Sequence, residues 1–568
     1  IKPEYINDGK YSFIGNQKIM YSDKKETYDK LKKPIISIDF GSSYSKISIL
    51  LDPKEIISDS IETSEITLQN GIAKVIGANS YRFFVDNENC LYFEKMKIYL
   101  DPKKGTENMN IEDLEIEATY PKNKKIKLKT VIKEYLRLIS NEALNKLNSY
   151  IEKKTKDDIK WIVTVPAIWS ESGKQLMIKC SKEAGMNDIQ IALEPEAATL
   201  DLFYEQVFIN DIKANDLQKR GNRFMLIDAG GYTVDITINE ILDDNKNMKQ
   251  LSPPSGGPFG SMIINSEINK IIEEIKGGKL DFEKSDDKKF FKQGIEEVKY
   301  THCNNNDDSE FSKITHYQSV SVFQKLIGRS LNTKYGIIKY DNTYIYFPRK
   351  IINIIILEQA NKIIDYIHLT LNVTKYKIDQ IVLVGGFCNC GILVDTLQKN
   401  FPNIDFLTLL NKEKSVVRGA SLFGLYPNQI VSRISPYTIG VIAYKKRQNN
   451  TECREEKKGE CKYFHIFVNK GQIIKNNEIK TFNYTPLYEN QTYVKFNLLR
   501  SNLENPIYVD YKDKFAEFSI EVKEVNIPLE EREIKLYVEF GNCITIKAEN
   551  VISGKQIKIS ANYYNRID

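Results

Sequence analysis

Two well-separated stretches, Ile35-Ile36-Ser37-Ile38-Asp39-Phe40-Gly41-Ser42-Ser43-Tyr44 and Met225-Leu226-Ile227-Asp228-Ala229-Gly230-Gly231-Tyr232-Thr233, repeat one design. Each is an apolar run ending in an aspartate, followed at once by glycine and small hydroxyl residues. Such a run predicts a strand that delivers a carboxylate to its end. The small residues after it let backbone N–H groups approach phosphate oxygens while the carboxylate organises a hydrated cation. Two copies predict two jaws facing one nucleotide.

The chain has 568 residues, too many for one core, and predicts three or four folding units. With 41% hydrophobic and 28% charged residues it has the composition of a globular protein. No apolar run approaches the length of about 18 residues that spans a bilayer, so no membrane partner is expected. The polar start, Ile1 to Lys30, resembles neither a secretory signal nor a transit peptide, and a cytoplasmic location is expected. Net charge is only +5, with basic and acidic residues interleaved, and the basic run Lys122 to Lys129 reads as a solvated face. Nucleic acid is therefore not an expected partner. The eight cysteines are scattered, as in a reduced protein. Cys453 and Cys461 bracket a charged stretch, by sequence open to pairing or metal binding; two free thiols are expected, since no second Cys/His pair lies at zinc spacing. His302, His316, His368 and His465 have no acid or thiol at catalytic spacing, and no nucleophile–histidine arrangement is predicted.

Residues 1–33 read as a polar lead-in. From 34 to about 435, short apolar strands alternate with helical patterns, the signature of an α/β layered architecture. Trp161 to Val165 reads as a buried strand ended by Pro166, with Ser172 as expected N-cap of the next helix and Gly185 closing it. Ile191-Ala192-Leu193 leads into Glu194-Pro195-Glu196, and Ile381 to Val384 into Gly385-Gly386-Phe387. From Pro436 to Asp568, period-two alternation takes over: Ile534, Leu536, Val538 and Phe540 share a face, then Ile544, Ile546 and Ala548 after a Gly541-Asn542 turn, then Ile557 and Ile559. An antiparallel β domain, 436–568, is expected after the α/β part.

Each turn alone is a common structural device. Together and in order, Asp39-Phe40-Gly41-Ser42-Ser43-Tyr44, Val163-Thr164-Val165-Pro166-Ala167, Glu194-Pro195-Glu196-Ala197-Ala198, Asp228 to Asp235 and Val382 to Phe387 resemble the phosphate, connecting and adenosine motifs of the actin-like ATPase superfamily, in particular the seventy-kilodalton heat-shock family. Tyr92 to Lys97, Gly256 to Ser261 and Arg418-Gly419-Ala420-Ser421 look like its divergent heat shock 70 kDa protein 12 branch.

The resemblance implies a two-lobed actin-like ATPase of duplicated ribonuclease-H-like lobes, 34–220 and 221–435, the chain returning toward the first lobe near 386–435. The β tail would stand where ordinary members carry a peptide-binding domain, with no helical lid expected after it. ATP and Mg2+ are the implied cofactors. Asp39 and Asp228 would hold Mg2+ largely through water. Gly41, Ser42, Ser43 and Tyr44, with Gly230, Gly231, Tyr232 and Thr233, would cradle the phosphates. Glu194 would orient the attacking water, and a lysine, Lys95 in preference to Lys97, would offset charge on the transferred group. Gly257, Gly385, Gly386 and Phe387 would line the nucleotide, with Glu296 and Lys299 aimed at adenosine; on periodicity alone those two read as a surface ion pair beside the buried face of Phe291, Ile295 and Val298.

Tyr232 stands where most relatives have a third glycine, and crowding or contact with the γ-phosphate is expected there. Three readings follow. The first is a chaperone-like protein with slow ATP hydrolysis coupled to lobe closure, whose partners are ATP or ADP and possible protein clients or co-chaperones. The second is a nucleotide-gated scaffold with negligible turnover, favoured by Tyr232 and the ambiguous lysine. A sugar or small-acid kinase, which has little use for the β tail, is the least favoured.

Overall fold

The structure is a computed structural model; it describes residues 18–20, 33–52, 55–101, 111–204, 219–243, 246–280, 285–300, 311–315, 330–333, 336–341, 343–374, 376–409, 411–446, 456–457, 460–510 and 514–560. The first sheet contains β1 (Lys18–Met20), β2 (Ile35–Phe40), β3 (Tyr44–Asp52), β4 (Glu55–Thr63), β5 (Lys160–Val165) and β6 (Ile189–Leu193), in the order β1-β4-β3-β2-β5-β6. Thus Lys18–Met20, inside the expected lead-in, forms an edge strand; the rest of 1–32 lies outside the described residues. The second sheet has at its centre β7 (Arg223–Ala229), β8 (Val234–Ile241), β9 (Met248–Gln250), β10 (Gln380–Val384) and β11 (Asp405–Thr408), in the order β9-β8-β7-β10-β11.

The run β9-β8-β7-β10-β11 repeats β4-β3-β2-β5-β6. In each, three antiparallel strands continue into two parallel ones. The central strands β2 and β10 are buried throughout, which is why they read as continuous apolar runs and not as alternation. β12 (Ile430–Ile434) and β13 (Ile473–Lys475) extend the second sheet beyond β9.

Helix α1 (Glu171–Glu183) follows β5. Its N-cap is Ser170, in extended conformation, whose Oγ accepts from Gly173 N; Ser172, the expected cap, lies one residue inside the helix. Helix α2 (Glu194–Tyr204) starts directly at the end of β6, so Glu194 and Glu196 occupy its first turn. Helix α3 (Ser285–Tyr300) follows the second hairpin, with Phe291, Ile295 and Val298 buried. Helix α4 (Ser415–Leu425) lies across α2 so closely that a Cβ on Gly419 would collide with Ala197 O. Arg418 grips Asp201 with Nε at 3.0 Å and Nη2 at 2.5 Å, both side chains about 1% exposed. Ser37 Oγ donates to Val417 O (2.7 Å), tying α4 to β2. The late segment 415–425 thereby fixes the helix that carries Glu194.

Apart from β13, the described strands between 436 and 560 form a five-stranded and a four-stranded antiparallel sheet around a shared core. Ile534, Leu536, Val538, Phe540, Ile544, Ile546 and Ala548 are buried, as period-two alternation requires. The turn after Phe540 docks on the first sheet: Asn542 Nδ2 donates to Ile191 O (2.7 Å), Ile544 N to Glu171 (3.1 Å), and Arg433 of β12 reaches both Asn542 (2.5 Å) and Glu196 (2.6 Å). Cys461 is disulfide-bonded, against the free thiol expected, and Cys453 lies outside the described residues. Among the described residues, no helix is long and apolar enough to cross a membrane.

Because Gly419 permits the α2–α4 contact, Gly419→Ala should lower unfolding stability by about 3 kcal/mol or more through overpacking. Chemical denaturation of parent and variant checks this; an unchanged midpoint would rule out the close crossing.

Candidate functional site

Antiparallel pairing places residues opposite one another on one face, and the two hairpins use this alike. β2 and β3 put Lys46 opposite Asp39; β7 and β8 put Asp235 opposite Asp228. At the turns, a Cβ on Gly41 would collide with Tyr44 O, and Gly230 N donates to Thr233 O at 3.0 Å. The turns face each other, since a Cβ on Gly231 would strike Ser43 Oγ. Gly385, with φ +87°, packs its Cα against Ala229 and Asp228, where any side chain would collide. Gly260 N bonds Tyr232 O (2.9 Å) and Met262 N bonds Gly231 O (2.7 Å), so the glycine against the second turn is Gly260. Gly257 pairs with Val234 beneath it.

Asp39, Glu194, Asp228 and Asp235 are all buried and within electrostatic reach of one another. Asp39 accepts from Thr164 Oγ1 (3.0 Å) and lies 3.4 Å from Lys46 Nζ. Asp235 accepts from Ala167 N (3.1 Å), from Ile168 N (3.4 Å) and from the Thr233 hydroxyl. Burial, with repulsion from Glu194, Asp235 and Asp39, holds the Asp228 carboxyl well above its usual range. Burial likewise pushes Glu194 up to about 7, Lys97 opposing and Asp39 and Asp235 adding, and Asp235 up to about 6 despite its donors.

The lysine in this cluster is Lys97. Its Nζ is 2.6 Å from Glu194 and 5.5 Å from the Trp169 ring centroid, and carboxylates around it hold its pKa up against burial. Lys95 is corrected accordingly: it is exposed, with left-handed backbone (φ 57°), and starts the short 3-10 turn Met96–Leu100 that swings Lys97 inward. The Tyr232 hydroxyl is directed to Asp101, with which it hydrogen-bonds, and its pKa rises to about 12, chiefly by burial.

On the far side, Lys299 Nζ is 2.7 Å from Glu296, which also accepts from Asn265 Nδ2 (2.6 Å). Lys299 is almost fully buried, so the pair is not the solvated one that periodicity suggests. Cys390 lies within electrostatic reach of Lys299 and Tyr300, and open space surrounds the Cα of Gly386. Phe387 is corrected: Gly385 turns the chain so that this ring is fully buried in the core and presents no face to a base. Tyr44 is exposed near Glu296 and Lys292. Lys292 ties α3 to Glu65 (2.9 Å) and Glu94 (2.5 Å); Lys288 meets Glu94 (2.8 Å) above the rings of Tyr81, Tyr92 and Tyr120. His368 packs against Phe401 with the rings tilted at 44° and His465 bonds Tyr484 OH, both outside this cluster; His302 and His316 lie outside the described residues.

Residues 35–318 match the family model described as Hsp70 protein. The chain belongs to the Hsp70 family. Human heat shock 70 kDa protein 12A is 22% identical over 84% of this chain and 80% of its own length. Human heat shock 70 kDa protein 12B is 21% identical over 93% and 91%. The chaperone protein HscA homolog of Rickettsia akari is 23% identical over 75% and 64%. This Hsp70-like chain is thereby a nucleotide-binding protein with an actin-like ATPase domain.

The site fits that ligand. Its donors are all oxygen, suited to a hard cation, and among the described residues the four carboxylates are met by two lysines, Lys46 and Lys97. Among the described residues, no three acidic, His or Cys side chains converge to chelate an ion directly. Sequence reasoning passed over Lys46, Thr164 and the role of Asp235. Equal seven-residue spacing in the two hairpins, Asp39 to Lys46 and Asp228 to Asp235, was the signal available.

Because the folded-state pKa of Glu194 lies above its unfolded value, its contribution to stability is present at low pH and lost as pH rises toward about 7. Without Mg2+ or nucleotide, the melting temperature of the parent should fall relative to that of Glu194→Gln between about pH 5 and 7. Parallel pH slopes for the two proteins would contradict this.

Proposed function

We propose that the chain is a slow, Mg2+-dependent ATPase in which two lobes, 34–220 and 221–435, close on ATP, and whose 436–568 segment is a β interaction domain biased by that closure. The convergence of Asp39, Glu194, Asp228 and Asp235 with Lys97 carries this reading. When bound, Mg2+ would supply charge compensation to the phosphates. Asp39 and Asp228 would hold it through water, since magnesium dehydrates reluctantly. Backbone N–H groups of 41–44 and 230–233 would bind phosphate oxygens, with Ser42 and Ser43 adding hydroxyls.

Glu194, pushed toward neutrality, would orient the attacking water. Lys97, released from Glu194 as charge develops, would meet the transferred phosphoryl group. Lys299, Glu296 and Gly386 are the residues offered to adenosine and base; the buried Phe387 is not among them. Two observations favour turnover over silent binding: Lys97 lies among the carboxylates, and the Tyr232 hydroxyl has a partner in Asp101. Arg433 bonds both Glu196, two residues from Glu194 on α2, and Asn542 of the β segment, which links that segment to the catalytic helix.

In a thermal-shift titration, Mg-ATP should stabilise the parent by about 2.7 kcal/mol at a hundredfold excess over Kd. Asp39→Asn and Asp228→Asn should lose most of that shift. Lys97→Ala should keep it while phosphate release falls about a hundredfold or more. No shift with the parent would overturn nucleotide binding, and a shift without phosphate release would leave only the scaffold reading.

The Lys292 pairs with Glu65 and Glu94 join segments on either side of the cleft. Lys292→Ala should therefore speed release of a fluorescent ATP analogue about fivefold, or ~1 kcal/mol, as expected for a half-exposed ion pair. Equal off-rates would exclude a latch there.

A further inference from the structure

A cavity of about 390 Å³ lies apart from the nucleotide-binding turns, where the turn after β5, the strand Ser255–Gly257 and the two C-terminal sheets meet. Trp169, Tyr366, Tyr437, Phe515 and Phe540 make its wall largely apolar. A partly open, concave volume of this size, mostly apolar with a few polar groups and situated at a junction of sheets, has the form of a small-molecule site.

The charges around it select the ligand. Lys174 is matched by Glu171 at 3.0 Å, Arg433 by Glu196 at 2.6 Å, and Asp101 by the Tyr232 hydroxyl. Arg500 is different. Its guanidinium lies 4.8 Å from the Tyr437 ring centroid and, among the described residues, makes no hydrogen bond or ion pair. Stacking on a ring leaves the in-plane N–H donors available, and that fork matches the two oxygens of a carboxylate. The other cation at the wall without an acidic partner is Lys475, which is solvent-exposed and adds to the positive balance.

We propose that this cavity binds a small organic acid, its anionic head on Arg500 and its apolar body against the aromatic wall. The site stands independently of the nucleotide reading. It shares a wall with the carboxylate cluster all the same, because Ala167 and Ile168 line the cavity and donate their N–H groups to Asp235.

The test is a titration of the full chain with 8-anilinonaphthalene-1-sulfonate, an aromatic anion that fluoresces in apolar sites. Saturable single-site binding is expected, displaced by decanoate and not by decylammonium, which has the same chain with opposite charge. Arg500→Leu should weaken binding about tenfold, the loss of one bidentate charge-assisted pair. Ser255→Phe, which fills the cavity, should abolish it. Thermal melts of both variants identify any that fail to fold; Arg500→Leu, which removes no hydrogen bond or ion pair seen here, is the decisive one. Absence of saturable binding, equal displacement by both amphiphiles, or unchanged binding in folded Arg500→Leu would overturn the proposal.

Discussion

Mutual repulsion among Asp39, Glu194, Asp228 and Asp235 is the constraint around which the rest of the molecule is built. Charged groups taken out of water cost several kcal/mol each unless they are compensated, and a flexible scaffold would relieve that cost by letting them drift apart. Here they are held at the ends of buried strands and at the first turn of α2. What compensates them is sparse: two lysines, Thr164, the Thr233 hydroxyl and two backbone N–H groups. The described site is consequently short of positive charge.

The duplicated topology makes the two halves equal in backbone and unequal in charge. Opposite the strand-ending aspartate stands Lys46 in the first hairpin and Asp235 in the second. The first hairpin therefore balances itself. The second adds a charge that must be answered from elsewhere, by Ala167 and Ile168 N–H groups after β5 and by Lys97 after a turn. That dependence ties the second sheet to the segment that follows β5 of the first. A similar economy joins α2 to the C-terminal sheets, since Arg433 of β12 grips Glu196 of its first turn and also Asn542 in the turn after Phe540, while Arg418 of α4 holds Asp201 further along the same helix.

Much of the fold was legible because its signals are local. Strand burial shows as apolar runs, an aspartate followed by glycine marks a tight polar turn, and alternation at 534–548 marks a sheet with one buried face. Side-chain direction was less legible. Lys95 and Lys97 are equivalent by composition; a left-handed residue and a 3-10 turn decide which points inward. Phe387 looks available for stacking until the positive φ of Gly385 turns it into the core. Lys299 looks like half of a surface pair until the packing of α3 buries it.

The sequence by itself determined the family, the α/β part followed by antiparallel β, and three of the four clustered carboxylates, Asp39, Glu194 and Asp228, because each is encoded in a short run of neighbouring residues. Tertiary structure alone decided which lysine serves the acids, where the Tyr232 hydroxyl goes, and that Arg500 and Tyr437 come to share a cavity with Trp169. These relations join residues far apart in the sequence, Lys97 and Glu194 by 97 positions. They depend on the register between strands and on helices crossing at a glycine, and no local run of sequence records either.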